Sequence, residues 1–215
     1  MERYPLFPLN LVLLPRMPLP LHIFEERYQQ MIQDCLDQNR EFGVVLQTGT
    51  SVQTAGCLAR IDSVINEYED GRKDILTIGT DRFTIHKVYE DKPYLTGDIE
   101  IFGDTPPQAQ DNEITAMLRD EAIASLNDFA SVAGYTVELE FLESLSVEEL
   151  SFLLATTDVF SMEEKQAILE MRSFHDRLRM TTGSLRESSQ NRRATARIRQ
   201  ILGKAETDDI DYIFN

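Results

Sequence analysis

The sequence predicts an α+β protein: a small closed or partly closed β-barrel with one early helix, followed by an all-helical half. Three observations carry the prediction. Short apolar segments bounded by turn residues recur at regular spacing up to residue 102. Residues 104–111, with Pro106-Pro107 among polar neighbours, read as a linker. Beyond it the apolar spacing becomes helical. Strands and helices are therefore segregated along the chain, which favours α+β over α/β. The expected organisation is a β-rich lobe at 1–104, a helical bundle at 112–204 and an acidic tail at 205–215.

The opening segment carries Pro5, Pro8, Pro15, Pro18 and Pro20, so it cannot be helical. The apolar run Leu11–Leu14 places a strand at Leu9–Leu14, covered on both faces. A helix is expected from Ile23 to Gln38, with Phe24, Tyr28, Met31 and Cys35 on one stripe. Strands follow at Phe42–Leu46 and Gly56–Asn66. Asp70-Gly71 then supplies a hairpin turn into Ile75–Ile78. Arg82–Tyr89 points Phe83 and Ile85 to one face, and Leu95–Phe102 has Ile99 and Ile101 in phase.

In the second half, Glu113–Ser131 is a helix with Ile114, Met117, Leu118, Leu126 and Phe129 on its apolar side, stopped by Gly134. Ser146 with Glu149 and Ser161 with Glu164 are capping boxes that open two further helices. Phe152, Leu153 and Phe160 are expected to pack with Ile168, Leu169, Phe174 and Leu178. Gly183 should separate off a last helix, Ser184–Leu202.

With 215 residues and 42% hydrophobic content the chain can bury a sizeable core. The net charge of −16 repels nucleic acid and anionic membranes over most of the surface. The stretch Arg172–Lys204 is the exception. It carries nine Lys/Arg against Asp176 and Glu187, a local balance of +7 that leaves −23 elsewhere. That stretch is either a solvated helix face or a contact surface for an acidic partner. The apolar opening is too interrupted for a signal peptide or a membrane span. Cys35 and Cys57 fit no zinc or disulfide pattern and read as buried free thiols, consistent with a cytoplasmic protein.

Chemistry-bearing motifs are not found. Gly203-Lys204 lacks the remainder of a phosphate-binding loop. His22, His86 and His175 are scattered, and no metalloprotease or nucleophile-elbow pattern occurs. No catalytic residue, metal site or cofactor is therefore expected. Arg192, Arg193, Arg197 and Arg199 cluster without interleaved aromatics, which disfavours nucleic acid.

Certain segments resemble a known family. Tyr4-Pro5-Leu6-Phe7-Pro8-Leu9, Val12-Leu13-Leu14-Pro15 and Pro18 through Tyr28 are similar to the opening signature of the amino-terminal domain of Lon proteases. The likeness continues through Phe42-Gly43-Val44-Val45-Leu46, Gly56, Gly79-Thr80-Asp81-Arg82-Phe83 and Pro93-Tyr94-Leu95, then Lys165–Glu170 and Arg177-Leu178. The resemblance implies a PUA-like pseudo-barrel followed by a helical bundle, and a role in recognising unfolded or tagged protein segments. It does not bring the ATPase and peptidase modules of Lon, which 215 residues cannot hold. A stand-alone recognition domain would be an adaptor or chaperone-like binder, working with a protease or chaperone. An RNA-binding PUA-like protein is the alternative.

Among the shared residues, Pro15, Gly43, Gly56 and Gly79 are expected to shape the backbone. Glu25, Arg27 and Arg82 are expected to form one ion-pair network that orients the early helix on the barrel. Candidates for peptide contact are the flexible or apolar Met17, Leu19, Leu21 and Tyr28, together with Met117 and Met162, lining an expected apolar groove between barrel and bundle.

Overall fold

The computed structural model describes residues 2–106 and 111–210, the last nine as helical backbone alone. In chain order the elements are β1 (Glu2–Leu9), β2 (Pro18–Ile23), α1 (Glu26–Asp37), β3 (Phe42–Thr48), β4 (Ser51–Glu67), β5 (Lys73–Tyr89), β6 (Thr96–Phe102), α2 (Asn112–Ala133), α3 (Leu139–Ser144), α4 (Val147–Ala155), α5 (Met162–Glu170) and α6 (Phe174–Ile210). The fold is α+β. It divides into two compact units, Met1–Pro107 with Ala155–Phe174, and Gln108–Leu154 with His175–Asn215.

The first unit is a mixed sheet of strand order β2-β5-β4-β3-β1-β6, and a further β5–β6 pairing closes it into a barrel. All pairs are antiparallel except β1 with β3. Leu6, Val45, Leu58, Phe83, Ile85 and Ile99 fill the interior. Burying six such side chains contributes roughly 1.5–3 kcal/mol each before chain entropy is subtracted.

The first strand is not where the apolar run placed it. β1 occupies Glu2–Leu9, and Leu13 and Leu14 are buried in the connection that follows. β1 changes partner midway: Glu2–Pro5 run against β6, and Leu6–Leu9 run alongside β3. Leu13 and Leu14 are buried in irregular chain just ahead of the Pro15-Arg16 turn, where Arg16 has φ 65°, so the apolar run serves packing and forms no strand.

β5 is one strand of 17 residues rather than two. Its first half pairs with β2 and its second half with β6. The residue between, Gly79, lies so close to the Leu14 carbonyl that no Cβ would fit. Gly43 and Gly56 flank the Phe83 ring, whose Cζ would stand 2.6 Å from a Cβ added at either position. These glycines serve close approach, not turns. The turn at Asp70-Gly71 is present, with Gly71 at φ 87°. Phe24, expected on the α1 stripe, lies outside the helix and is 62% exposed. Ile99 is buried, whereas Ile101, a step from the end of β6, is half exposed.

The helix α5, expected in the bundle, belongs to the barrel unit. Gln166 donates to the Ala55 carbonyl of β4 at 3.1 Å. The Arg82 guanidinium, from β5, donates to the Leu169 carbonyl at 3.0 Å and also to the Met171 carbonyl. Ile168 and Leu169 are therefore buried on the barrel side of the division.

The second unit contains α2, α3, α4 and α6. Its core includes Leu118, Leu126, Phe129, Leu142, Leu150, Phe152, Leu178 and Leu185. Ile114 and Met117, placed on the apolar side of α2 by periodicity, are 39% and 54% exposed; Ala122 and Ala130 are buried with Leu118, Leu126 and Phe129. Both capping boxes form, with Glu149 N–H to Ser146 Oγ at 3.2 Å and Glu164 N–H to Ser161 Oγ at 3.2 Å. Gly183 does not interrupt the last helix: α6 runs through it for 37 residues. A single exposed glycine costs a long helix only about 1 kcal/mol, which packing of Leu178 and Leu185 outweighs. The helix also takes in part of the expected acidic tail; residues 211–215 lie outside the described residues.

Candidate peptide-binding groove

Within the barrel unit, α1 lies against one mouth of the barrel because its buried residues, Tyr28, Met31, Ile32 and Cys35, fall at helical spacing. Phe7 of β1 receives Tyr28 at a ring-centroid distance of 4.2 Å and Phe42 at 6.0 Å. Three depressions follow the seam where α1 meets the strands.

The largest, about 440 Å³, is walled by Arg27 and Tyr28 of α1, Pro8, Gln47, Thr50, Val52, and the β5–β6 connection from Glu90 through Leu95. Its volume falls in the range of small-ligand sites. A second, about 160 Å³, shares Lys92 and Tyr94 with it. A third, about 370 Å³, shares Cys35 and Arg40 with the second.

Tyr94 is the pivot between the first two. It is 2% exposed, and its hydroxyl donates to Asp34 Oδ2 at 2.5 Å while accepting from Lys92 Nζ at 2.8 Å. Burial, and then the bond to Asp34, push the phenol above its ordinary range. The bond to Tyr94, supported by Asp34, keeps the Lys92 ammonium charged to higher pH than usual. The result is a depression lined mostly by polar groups, with Tyr28 and Tyr94 buried behind it, the exposed Lys92 ammonium at its edge and the Arg27 guanidinium over the Tyr28 ring at 4.5 Å. Such a surface offers hydrogen-bond partners to an extended chain, and its cations favour a neighbouring carboxylate. The thiol of Cys35 is pushed up to about 12 by burial, and that of Cys57 is raised for the same reason.

The nominated contact residues are only partly brought together. Tyr28 lies in the groove wall. Leu19 and Leu21 are half-buried on β2, just after half-buried Met17. Met162 is exposed at the start of α5, and Met117 is exposed on α2 in the other unit. The groove residues Thr50, Val52, Lys92, Tyr94 and Leu95 were not nominated. Pro93-Tyr94-Leu95 carried a signal, as an apolar pair beside a proline just ahead of a strand.

An open strand edge is a second way to hold an extended chain, and β2 ends the sheet order. Its composition obstructs that use. Proline has no N–H, so Pro18 and Pro20 leave the ladder bonds to β5 to Leu19, Leu21 and Ile23, and they remove donors from the outer edge.

The expected Glu25–Arg27–Arg82 network is instead two separate sites. Arg27 pairs with Glu25 at 2.8 Å on the surface. Arg82, 2% exposed, pairs with Asp104 at 2.7 Å beneath α5 and stacks on Phe102. Pro15 is buried in the turn before β2.

Histidines occupy separate places. His22 binds Asp74 at 2.5 Å, His86 binds Glu100 at 2.9 Å, and His175 lies 2.7 Å from the Thr115 hydroxyl. None lines the three depressions. Among the described residues no group of three or more His, Cys, Asp or Glu is placed to hold a metal ion. Of the four clustered arginines, Arg193 is paired with Asp128 and Arg192 lies over Phe129. No helix of the described residues is long and apolar enough to cross a membrane.

The family model of the ATP-dependent protease La (LON) substrate-binding domain matches residues 3–187. The chain belongs to that family. Lon protease of Parabacteroides distasonis is 32% identical over 126 residues, 54% of this chain and 15% of that protein. Lon protease of Flavobacterium johnsoniae is 26% identical over 185 residues, 80% of this chain and 22% of that protein. The chain thus spans less than a quarter of the length of these relatives. The crystal structure of a Lon N-terminal domain protein from Xanthomonas campestris superposes with a TM-score of 0.62 at 22% identity, covering 84% of this chain and 96% of that one. The N-terminal domain of Mycobacterium avium complex Lon protease gives 0.67 at 14% identity, covering 86% and 98%. Both show that the chain has the fold of a Lon N-terminal domain.

Proposed function

We propose that the chain is a non-catalytic recognition module that binds unfolded or tagged protein segments in the cytoplasm, as an adaptor or chaperone-like partner of a protease or chaperone. The observation that carries this reading is the 440 Å³ groove between α1 and the β5–β6 connection. Its accessible lining is largely polar, and the exposed Lys92 ammonium beside it stays charged. Membership of a family described by substrate binding supports the same reading. A client segment would lie along Pro8, Val52 and Pro93, with backbone carbonyls or a carboxylate toward Lys92. Binding would be weak for one segment and strengthened by several segments of one unfolded chain.

The test is a titration with reduced α-lactalbumin or casein, comparing wild type with Thr50→Trp. Thr50 is on the exposed rim, so the indole fills the groove without disturbing the core. Saturable binding that weakens at least tenfold (about 1.4 kcal/mol) in the variant is expected. Absence of saturable binding, or equal binding by the variant, would overturn the proposal.

A further inference from the structure

The helical unit carries two surfaces of opposite charge that are exposed among the described residues, and we propose that they join two copies of this chain. The first is the distal part of α6. Every residue from Arg193 to Ile201 is exposed, including Ile198 at 57% and Ile201 at 67%. Nine helical residues make about two and a half turns, some 14 Å of helix without side cover. Earlier on α6, Arg186 pairs with Glu121 of α2 and Arg193 with Asp128 of α2. Further out, Arg197 and Arg199 have no acidic partner among the described residues. This stretch is therefore a basic rod with an apolar stripe, Ile198 and Ile201 one turn apart, ahead of a last helical segment whose sequence holds Glu206, Asp208 and Asp209.

The second surface is the α2–α3 corner. No lysine or arginine occurs between Arg119 and Lys165, while eleven Asp and Glu do. Inside that stretch Tyr135, Leu139 and Phe141 are 72%, 49% and 50% exposed. Glu138, Glu140 and Glu143 surround them and are themselves exposed. An apolar cluster set among carboxylates is the chemical complement of Ile198 and Ile201 set among guanidiniums.

The occupant is a second copy rather than a foreign protein because each molecule presents both halves in equal amount. Two molecules can exchange the contact reciprocally, so that a single pairing satisfies all four surfaces and closes the assembly. Each contact involves one short helical segment. The pair is therefore a weak dimer with charge-steered association, and salt opposes it, since the Debye length falls from about 10 Å at 0.1 M to about 3 Å at 1 M.

Sedimentation velocity on the full chain across a concentration series, at low and high salt, tests this. A concentration-dependent dimer that dissociates in 1 M NaCl is expected. The double variant R197E/R199E should be monomeric at concentrations where wild type pairs, with association weakened at least tenfold. E140R/E143R should behave likewise. A mixture of the two reversed variants should recover a heterodimer, because one of its contacts then has the wild-type charges and the other is reversed on both sides. That recovery excludes misfolding as the cause of either loss. A wild-type chain that stays monomeric throughout, a dimer indifferent to salt and to R197E/R199E, or no recovery on mixing would each overturn the proposal.

Discussion

Replacing Arg82 with methionine should destabilise the barrel unit by about 3–5 kcal/mol, the cost of removing one partner from a buried ion pair. The structure sets the size. Arg82 is 2% exposed and the side chain of Asp104, 2.7 Å away, is 9% exposed, so water cannot replace the lost cation. The guanidinium also donates to the Leu169 and Met171 carbonyls at the end of α5, and each charged hydrogen bond of this kind is worth about 1.5–3 kcal/mol. These contributions overlap and do not add. Methionine keeps the stem that packs on Phe102, so the effect isolates charge and hydrogen bonding from volume. For a chain of this size the melting temperature should fall by roughly 6–20 °C. Hydrogen exchange supplies the sharper assay. Amides of Met162–Glu170 should lose protection more than those of β3, because Arg82 ties α5 to the sheet. A loss below about 1 kcal/mol, or unchanged α5 protection, would refute the view that Arg82 is the anchor of α5.

Three further outcomes follow from single features. Gly183→Ala should stabilise the helical unit by about 0.5–1 kcal/mol in urea denaturation, since α6 is continuous there and an added Cβ meets open space. Cys35 and Cys57 should resist iodoacetamide at pH 8 in the native chain and both react once it is unfolded, because burial raises both thiols. Asp74 accepts bonds from His22, Asn66 and Tyr68 and is held at about 2. A depressed carboxyl stabilises the fold above the ordinary carboxylate range and loses that contribution as pH falls toward 2. Asp74→Asn should therefore narrow its stability difference from wild type as pH drops from about 5 to 2.5, measured by urea midpoints.

The barrel was legible in the sequence wherever alternation and turn residues spoke together, as at β3, β4 and the Asp70-Gly71 turn. It was illegible where tertiary contact decided the outcome. Leu13 and Leu14 are apolar because they are buried, and burial by itself does not specify a strand. β5 looked like two strands because Gly79 breaks its pattern, yet that glycine marks where Leu14 crosses close to an unbroken strand. The helix α5 was legible from its capping box, but its allegiance to the barrel depends on Arg82 and Gln166, whose partners lie about 90 and 110 residues away. The groove was legible only through Tyr28. Lys92, Tyr94 and Asp34 come together from α1 and a loop that no periodicity joins.

Backbone amide shifts of the isotopically labelled chain, followed by NMR during titration with an unfolded client peptide, test the recognition site most directly. Saturable perturbations concentrated at Val52, Tyr94, Leu95 and the first turn of α1 are predicted. Perturbations confined to residues away from that seam, or none at millimolar peptide, would contradict it.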